Sequence, residues 1–317
     1  MSQGVHFIIG ASGQLGTELA LSLVSKGERV VLSDVRRPAH QKLQGLEYVT
    51  LDVRDRGAID AALIAAEASH VYLLAAALSA RGEGDPEWAW DLNMRGLLNM
   101  MEHASDSQTV KQVFWPSSIA VFGPETPAAA PQSGERKPTT VYGISKNAGE
   151  QWCAWYREHR GVDVRSVRFP GLIGHRSVPG GGTTDYAVDI FIEANSTGRY
   201  TCYLNEDERL PMLYMDDAVD CIHDLMAAPA DRLTVATSYN VHGMDFTPAE
   251  LGTAIAERIE GFTMDYAPDF RQAIAASWPD SLLDAEARAD WGWSPKIGMT
   301  ELVSIMLEAK KVVLSET

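Results

Sequence analysis

The segment Val5-His-Phe-Ile-Ile-Gly10-Ala-Ser-Gly13-Gln-Leu-Gly16 decides the fold. Its apolar start, Val5–Ile9, leads directly into three glycines at every third position, and a helical pattern over 15–24 follows. Glycines placed between a strand and a helix let the backbone turn tightly and approach a pyrophosphate, which the amides and dipole of the helix start favour. The predicted contacts of such a phosphate group are Gly10, Gly13, Gln14, Leu15 and Gly16.

A carboxylate follows the second predicted strand, 29–33, at Asp34. This position, about 20 residues beyond the glycines, is where an acidic side chain accepts hydrogen bonds from an adenosine ribose and repels a 2′-phosphate. The pattern therefore favours NAD over NADP. Arg36 and Arg37 follow directly and are able to neutralise a phosphate, so the NADP alternative stays open.

Further cofactor contacts are expected where other predicted strands end, because ligands of open parallel sheets bind at the carboxyl edge. Asp52, beside Val53, either lies next to the adenine or caps the following helix. The small residues that end the fourth strand permit close packing of a cofactor or of a helix. The predicted contacts in these segments are Asp52, Val53, Leu74, Ala75, Ala76 and Pro170.

The N-terminal half alternates short β-branched runs with longer helical patterns, which is typical of βαβ units stacked into a parallel sheet. Strands are predicted at 5–9, 29–33, 46–51, 71–75, 112–116 and 164–169, and helices at 15–24, 58–68, 85–103 and 140–159. Beyond residue 170 the chain has glycine-rich loops, shorter strands and isolated helices. These patterns predict an α/β, doubly wound parallel sheet with a smaller C-terminal lobe. The predicted domains are 1–170, to which later segments return, and 171–317.

The composition excludes several classes of function. The chain has 317 residues and 27 Lys plus Arg against 43 Asp plus Glu, a net charge of −16, so nucleic acid and anionic membranes are not expected partners. The longest apolar run, 71–77, is far shorter than the roughly 20 residues of a membrane helix. Three cysteines without a C-x-x-C pair predict neither disulfides nor a zinc site, and no metal is expected. A cytoplasmic location is predicted.

The segment Tyr142-Gly-Ile-Ser-Lys146 places a phenol and an ammonium one turn apart on one helix face. Oxidation of an alcohol needs a base for the hydroxyl proton, and a tyrosine acts as one near neutrality if its pKa falls by about 3 units. Lys146 and the positive ring of an oxidised nicotinamide would supply that stabilisation. Ser118, just beyond the fifth strand, would hold the reacting oxygen. Taken singly, each of these residues also has a purely structural explanation.

These segments together resemble the short-chain L-threonine 3-dehydrogenases, which are extended short-chain dehydrogenases/reductases with a Rossmann fold. The similarity covers essentially the whole chain. It is carried by residues 10–16, 75–80, 115–123, 142–146, 164–171, 179–187, 210–216 and 271–279. The segments Pro179-Gly-Gly-Gly-Thr-Thr-Asp-Tyr and Ser277-Trp-Pro are the most particular to that family. The chain departs from it at Leu283 and Leu73, where relatives often have aspartate and histidine.

The resemblance implies oxidation of L-threonine by NAD to 2-amino-3-oxobutanoate. It implies substrate contacts at Ser79, Ser118, Tyr142, Thr183, Thr184 and Trp278, and cofactor contacts that include Tyr142 and Lys146. It also implies a metabolic partner, 2-amino-3-ketobutyrate CoA ligase, that consumes the unstable product. The glycines at 180–182 are either a hinge that closes over the substrate or a rigid turn.

Helices 85–103 and 140–159 carry more apolar residues than one sheet face requires, which predicts a homodimer. Two other functions remain open. A nucleotide-sugar epimerase or dehydratase shares the glycine turn and the Tyr/Lys pair, and a non-catalytic NAD sensor shares the fold.

Overall fold

A computed structural model describes residues 4–176 and 180–315. In this part of the chain the strands are β1 (Val5–Ile9), β2 (Arg29–Asp34), β3 (Glu47–Thr50), β4 (His70–Leu73), β5 (Gln112–Phe114), β6 (Ser117–Ser118), β7 (Ala129–Ala130), β8 (Val164–Arg165), β9 (Val167–Phe169), β10 (Gly171–Ile173), β11 (Arg199–Cys202), β12 (Leu210–Tyr214), β13 (Tyr239–Asn240), β14 (Met244–Phe246), β15 (Thr263–Tyr266) and β16 (Ser281–Leu282).

The α-helices in the same part are α1 (Gln14–Ser25), α2 (Arg56–Ala66), α3 (Ser79–Gly84), α4 (Pro86–Trp90), α5 (Gly96–Asp106), α6 (Val141–Arg160), α7 (Tyr186–Ser196), α8 (Met215–Ala227), α9 (Pro248–Ala256), α10 (Phe270–Ala275), α11 (Ala285–Trp291) and α12 (Met299–Ser315). Short 3₁₀ helices cover Gln41–Leu43, Ile119–Val121 and Ala230–Arg232. Pro179, the start of one of the family-specific segments, lies outside the described residues.

A six-stranded parallel sheet forms the centre of the molecule, in the order β3-β2-β1-β4-β5-β8. The chain order reverses between β1 and β4, and their register pairs Ile9 with Leu73, so both strands end at one edge. In a doubly wound sheet the crevice at this reversal binds the ligand. The predicted α/β fold with a parallel sheet is confirmed.

Two predicted elements are interrupted in the structure. The strand predicted over 164–169 splits, because β9 leaves the main sheet to pair with β6 and β13, while β8 stays beside β5. The helix predicted over 85–103 contains a π-helical turn, Asp91–Arg95, between α4 and α5. Its predicted start is confirmed, since the Asp85 side chain accepts a hydrogen bond from the Trp88 amide.

Helices cover both faces of the sheet. On one face Ile59 of α2 and Leu97 of α5 join a buried core, and on the other Leu19 of α1 packs in one cluster with Ile222 of α8. Because α8 lies beside α1, part of the chain beyond residue 170 contacts the first helix. The division into domains 1–170 and 171–317 stays a prediction.

The apolar residues of the helices that suggested a dimer separate into two groups. Leu97 and Met101 are buried within the single chain and need no partner. Ile144, Trp152 and Trp155 of α6 are exposed, at 46%, 40% and 38%. Exposed apolar side chains therefore lie on α6 and, at Trp90 with 45% exposed, on α4.

Candidate active site

The glycine turn, residues 10–16, requires glycine for steric reasons. Gly10 has φ +94°, and a Cβ there would lie 2.5 Å from the backbone nitrogen of Ala75. A Cβ on Gly16 would lie 2.2 Å from the carbonyl oxygen of Gly10. Gly13 precedes α1 and brings no side chain to cap the helix. Within the described residues, the first turn of α1 has neither a side-chain cap nor an acidic residue, so its amides favour a bound anion.

Asp34 lies against the glycine turn. Its carboxylate accepts hydrogen bonds from the Ser12 amide at 3.0 Å and from the Val35 amide at 2.7 Å. Arg37 points away, because its guanidinium donates to the carbonyls of Gln44 and Leu46. The carboxylate expected to bind a ribose is therefore next to the glycine turn, and Arg37, one of the two arginines that keep the NADP alternative open, is engaged elsewhere.

Asp52 is held by an arginine rather than by a helix. The Arg54 guanidinium donates to both of its carboxylate oxygens, which lowers the pKa of Asp52. Asp55 instead caps α2, accepting a hydrogen bond from the Ala58 amide at 3.0 Å. The alternative that Asp52 is the helix cap is therefore wrong, while its contact with an adenine stays a prediction.

The end of β4 borders the glycine turn. The amides of Leu74 and Ala75 both donate to the carbonyl of Ile9, at 2.8 and 3.1 Å. Val53 is buried, and its carbonyl accepts a hydrogen bond from Asn99 at 2.9 Å. Because Leu74, Ala75 and Ala76 are only partly buried, they border the crevice. Pro170, buried between β9 and β10, completes the set of predicted cofactor contacts, which remain predictions.

The predicted proton-transfer groups meet at the same edge of the sheet. Thr140 caps α6 by accepting a hydrogen bond from the Gly143 amide at 3.0 Å, which places Tyr142 in the first turn and Lys146 one turn later. The Lys146 ammonium donates to the carbonyl of Pro116 at 2.5 Å, and its Nζ lies 5.6 Å from the centre of the Tyr142 ring. The Ser118 hydroxyl lies close enough to Tyr142 to lower the pKa of its phenol. The end of β6 and the start of α6 therefore bring together the hydroxyl of Ser118, the phenol of Tyr142 and the ammonium of Lys146.

Burial dominates the titration of the two ionisable groups. It raises the pKa of Tyr142 to about 12, against a lowering effect of the hydrogen bond with Ser118. It lowers the pKa of Lys146 to about 7, against raising effects of Cys153 and Glu150. The pKa of the Tyr142 phenol is thus raised, whereas a base that acts at neutral pH requires a lowered pKa. Tyr142 therefore needs added positive charge beside its ring in order to act as a base.

Two predicted substrate contacts from distant parts of the chain touch each other. The Ser79 and Thr183 hydroxyls lie 3.1 Å apart, and both side chains are buried. Thr184 packs against β10, because a Cβ on Gly171 would lie 2.9 Å from its Cβ. These positions place the segment 180–185, here named the substrate loop, beside the start of α3.

The substrate loop is closed by its own carboxylate. Asp185 accepts hydrogen bonds from the amides of Gly181 and Gly182 at 2.8 and 2.7 Å, and it directly precedes α7. The structural alternative for Thr183 and Thr184, that they are simple helix caps, is therefore wrong. Whether the glycines are a hinge or a rigid turn stays open.

Trp278 has a buried N–H donor that makes no hydrogen bond within the described residues. It is 9% exposed, and its indole Nε1 is buried without a hydrogen-bond partner among the described residues. Buried donors are rarely left unpaired, so such a group is available to a ligand oxygen. Tyr142 packs against the same core cluster that contains Trp278.

Asn93 was missed by the sequence analysis. Its side chain accepts a hydrogen bond from the Ala77 amide at 2.8 Å and donates to the Ser145 hydroxyl at 3.0 Å. Ser145 in turn donates to the carbonyl of Tyr142 at 2.7 Å. Asn93 lies in the π-helical turn, which helical periodicity does not reveal and which often marks a functional position. It connects the end of β4 with the start of α6.

Neither a metal-binding cluster nor a membrane-spanning helix is present in residues 4–176 and 180–315. In these ranges no three or more His, Cys, Asp or Glu side chains are grouped to hold a metal ion. No helix described there has the length and apolar character needed to cross a membrane.

Comparison with known proteins places this geometry in a family. The sequence profile of the NAD dependent epimerase/dehydratase family matches residues 6–242. A curated relative from Staphylococcus haemolyticus (strain JCSC1435), called an uncharacterized epimerase/dehydratase, is 44% identical over 312 residues, which are 96% of this chain and 98% of that protein.

Solved structures agree over nearly the full length. The holo form of a GalE-like L-threonine dehydrogenase from Cupriavidus necator is 54% identical, with a TM-score of 0.92 over 96% of this chain and 98% of that one. The L-threonine dehydrogenase of Clostridium difficile is 37% identical, with a TM-score of 0.95 over 99% of both chains. The chain therefore belongs to the NAD-dependent epimerase/dehydratase family of extended short-chain dehydrogenases/reductases, and its fold is that of solved L-threonine dehydrogenases.

Proposed function

We propose that this protein is an NAD-dependent L-threonine 3-dehydrogenase. The observation that carries the proposal is the meeting of Ser118, Tyr142 and Lys146 at the carboxyl edge of the sheet, the same edge at which β1 leads into the glycine turn. The similarity to L-threonine dehydrogenases over nearly the whole chain supports the choice of substrate.

The residues at the crevice fit NAD. The start of α1, which has no side-chain cap and no acidic residue in its first turn, suits a pyrophosphate, and the Asp34 carboxylate beside the glycine turn suits the hydroxyls of an adenosine ribose. Leu74, Ala75 and Pro170 would border the nicotinamide half. When bound, NAD supplies the acceptor for the hydride that leaves C3 of threonine and a positive ring charge beside the phenol.

The chain's own groups handle the proton and the oxygen. Tyr142, as phenolate, takes the proton of the threonine hydroxyl, and Lys146 stabilises the negative charge of the phenolate. The Ser118 hydroxyl donates a hydrogen bond to the same substrate oxygen as it becomes a carbonyl. The product is 2-amino-3-oxobutanoate.

The substrate carboxylate would be held on the other side of the crevice. The Trp278 Nε1–H is a buried donor without a partner in the described chain, and the Thr183, Thr184 and Ser79 hydroxyls lie at the substrate loop and the start of α3. A carboxylate that accepts hydrogen bonds from such donors orients C3 toward Tyr142.

The decisive experiment mixes purified protein with L-threonine and NAD and follows absorbance at the NADH band. We expect turnover with this pair, little with NADP because of Asp34, and weaker turnover with L-serine, which lacks the C3 methyl group. Absence of NADH formation from threonine under conditions where NAD binds would overturn the assignment.

An epimerase or dehydratase acting on nucleotide sugars remains the second candidate, since the family name covers such enzymes. A diphosphate substrate needs basic residues in a larger C-terminal pocket, and two arginines of that half, Arg209 and Arg271, are already held in ion pairs with Asp245 and Asp269. NAD retained through purification would favour this candidate. NAD binding without turnover of any β-hydroxy amino acid would instead favour a non-catalytic NAD sensor.

We also propose a homodimer that covers the exposed aromatic face of α6. Trp152 and Trp155 are 40% and 38% exposed and stack edge to face at 5.9 Å, a patch that a second copy of the helix would bury. Sedimentation should show a dimer that Trp152→Glu dissociates. The control Ile64→Glu, on the exposed face of α2, should leave the dimer intact; a monomeric wild-type protein would contradict the proposal.

The product determines the metabolic setting that we propose. A β-keto acid loses CO₂ readily, so 2-amino-3-oxobutanoate requires a consumer, and a 2-amino-3-ketobutyrate CoA ligase in the cytoplasm is the expected partner in threonine catabolism. Accumulation of aminoacetone when the dehydrogenase acts alone, and of glycine when such a ligase is added, would test this.

A further inference from the structure

A buried ion-pair cluster formed by Ser117, Glu150 and Arg168 lies behind the proton-transfer groups. Glu150 of α6 and Arg168 of β9 are both 0% exposed. The Arg168 guanidinium donates from Nε and Nη2 to the two Glu150 oxygens, each at 2.8 Å. The Ser117 hydroxyl donates to Glu150 Oε1 at 2.6 Å. The cluster therefore connects β6, α6 and β9 through one carboxylate.

The cluster is fully hydrogen-bonded. Arg168 Nη1 donates to the carbonyl of Gln132 at 2.8 Å and to Asn240 Oδ1 at 2.9 Å. A second arginine, Arg136, lies 3.3 Å from Glu150 Oε2. A buried ion pair contributes little net stability compared with apolar side chains of similar size, so its value is better sought in the geometry that it imposes.

That geometry concerns the catalytic edge directly. Ser117 stands between Pro116, whose carbonyl accepts a hydrogen bond from Lys146, and Ser118, whose hydroxyl lowers the pKa of the Tyr142 phenol. Positions 142, 146 and 150 follow one another at four-residue spacing and share one face of α6. The carboxylate of Glu150 thus holds the strand end against the same helix face that presents the phenol and the ammonium.

We propose that Glu150, held by Arg168, is a positioning residue of the dehydrogenase. It fixes β6 to α6 through Ser117, so that Ser118 meets Tyr142, and it places a negative charge one turn from the Lys146 ammonium. The inference rests on the proposed function, since the readout of positioning is the rate of threonine oxidation.

The charges around Lys146 indicate the sign of the electrostatic effect. Burial lowers the pKa of Lys146, while Glu150 and Cys153 on its own helix raise it. The Cys153 thiol is itself buried, and its pKa is raised, so it stays neutral. From the neighbouring segments, Trp115 and Pro116 present an aromatic face and a carbonyl. Glu150 is therefore the anionic group that helps to keep Lys146 protonated, with Arg168 and Arg136 on its far side.

Two variants separate geometry from charge. Ser117→Ala removes the hydrogen bond to the strand end and keeps the ion pair, so we expect kcat to fall about tenfold while KM for threonine and Kd for NAD change little. Glu150→Gln keeps the shape and removes the charge, so Lys146 loses its proton at a lower pH and the alkaline limb of the kcat profile, where the ammonium is lost, moves to lower pH. Glu158→Gln, the same substitution on the exposed face of α6, is the matched control and should leave both quantities unchanged.

The outcomes are distinguishable from mere damage to the fold. Rates are normalised to NAD-binding sites, so a loss of folded protein does not lower kcat. Unchanged kcat in Ser117→Ala, or an alkaline limb that is unmoved or shifted to higher pH in Glu150→Gln, overturns the inference. If Glu150→Gln does not fold, Ser117→Ala still decides the positioning claim.

A readout without substrate separates this inference from the proposed function. In protein labelled with ¹³Cε-lysine, NMR titration follows Lys146, assigned by the loss of its signal in Lys146→Arg. The titration midpoint should fall in Glu150→Gln and stay unchanged in Glu158→Gln. If wild-type protein fails to oxidise threonine but this shift is found, the choice of substrate is wrong and the role of Glu150 stands; an unmoved midpoint refutes its electrostatic role.

Discussion

The glycine turn and the substrate loop both contain three glycines, yet they are built differently. In the glycine turn Gly16 approaches the carbonyl of Gly10 within the turn itself, and Gly10 approaches Ala75 just beyond the adjacent strand β4. In the substrate loop, Asp185 closes the loop on itself while Thr183 reaches Ser79, 104 residues away in the chain. A sequence motif therefore describes the glycine turn, whereas the substrate loop acquires its chemistry only from a distant segment of the chain.

The largest expected effect comes from Tyr142, where a local motif and a distant serine meet. Tyr142→Phe removes the proton acceptor, so kcat for threonine oxidation should fall by about 10²–10⁴-fold. Stopped-flow or steady-state measurement of NADH formation checks this, and calorimetry should show that NAD still binds. Substantial turnover by the variant would show that another group takes the proton.

The next largest effect tests the local region. In Gly16→Ala the new methyl group would lie 2.2 Å from the Gly10 carbonyl oxygen, so the turn must shift and NAD affinity should drop about 10–100-fold. Gly45→Ala adds a methyl group where nothing lies within 4 Å and serves as the control. Titration calorimetry with NAD measures both. Equal affinities would mean that the turn is not part of the cofactor site.

A smaller effect tests the distant region. Thr183→Val removes the hydroxyl that pairs with Ser79 and should raise KM for threonine about 5–20-fold, which corresponds to one or two lost hydrogen bonds. Kd for NAD should not change. Thr253→Val, an exposed threonine on α9, is the control for the substitution itself. An increase in Kd for NAD with constant KM would reverse the roles of the two regions.

The smallest expected effect is on the pH dependence of folding stability. It concerns His6, which lies at the edge of the sheet opposite to the crevice. His6 stacks on His70 at 4.7 Å, and burial lowers the pKa of His6 to about 4. Since an unfolded histidine titrates near 6.5, the unfolded state takes up the proton first, and stability is complete above pH 6.5 and is lost as pH falls toward 4. Between pH 7.5 and 5 the Tm of His6→Gln should drop by about 2–4 °C less than that of the wild type.

Differential scanning calorimetry at the two pH values measures this difference. If His6→Gln and the wild type lose the same number of degrees, His6 does not carry the acid sensitivity. His223, whose pKa burial also lowers to about 4, is then the next residue to replace.

The main sheet and the cofactor side were predictable because their signals are local. A strand that ends in spaced glycines, and a carboxylate at the end of the next strand, each need only neighbours in the chain or in the sheet. The boundaries of the strands and helices were less predictable. The split of β8 from β9 depends on pairing with β13, and the π-helical turn that turns Asn93 inward leaves the helical periodicity almost unchanged.

The sequence by itself determined the parallel fold, the glycine turn, Asp34 and the four-residue spacing of Tyr142 and Lys146, because steric limits and helical periodicity act over short distances. Only the tertiary structure decided that Ser79 meets Thr183 and that Glu150 joins Ser117 to Arg168. Those contacts depend on how strands and helices from separate parts of the chain pack, and a buried hydroxyl or carboxylate finds its partner only once that packing has excluded water.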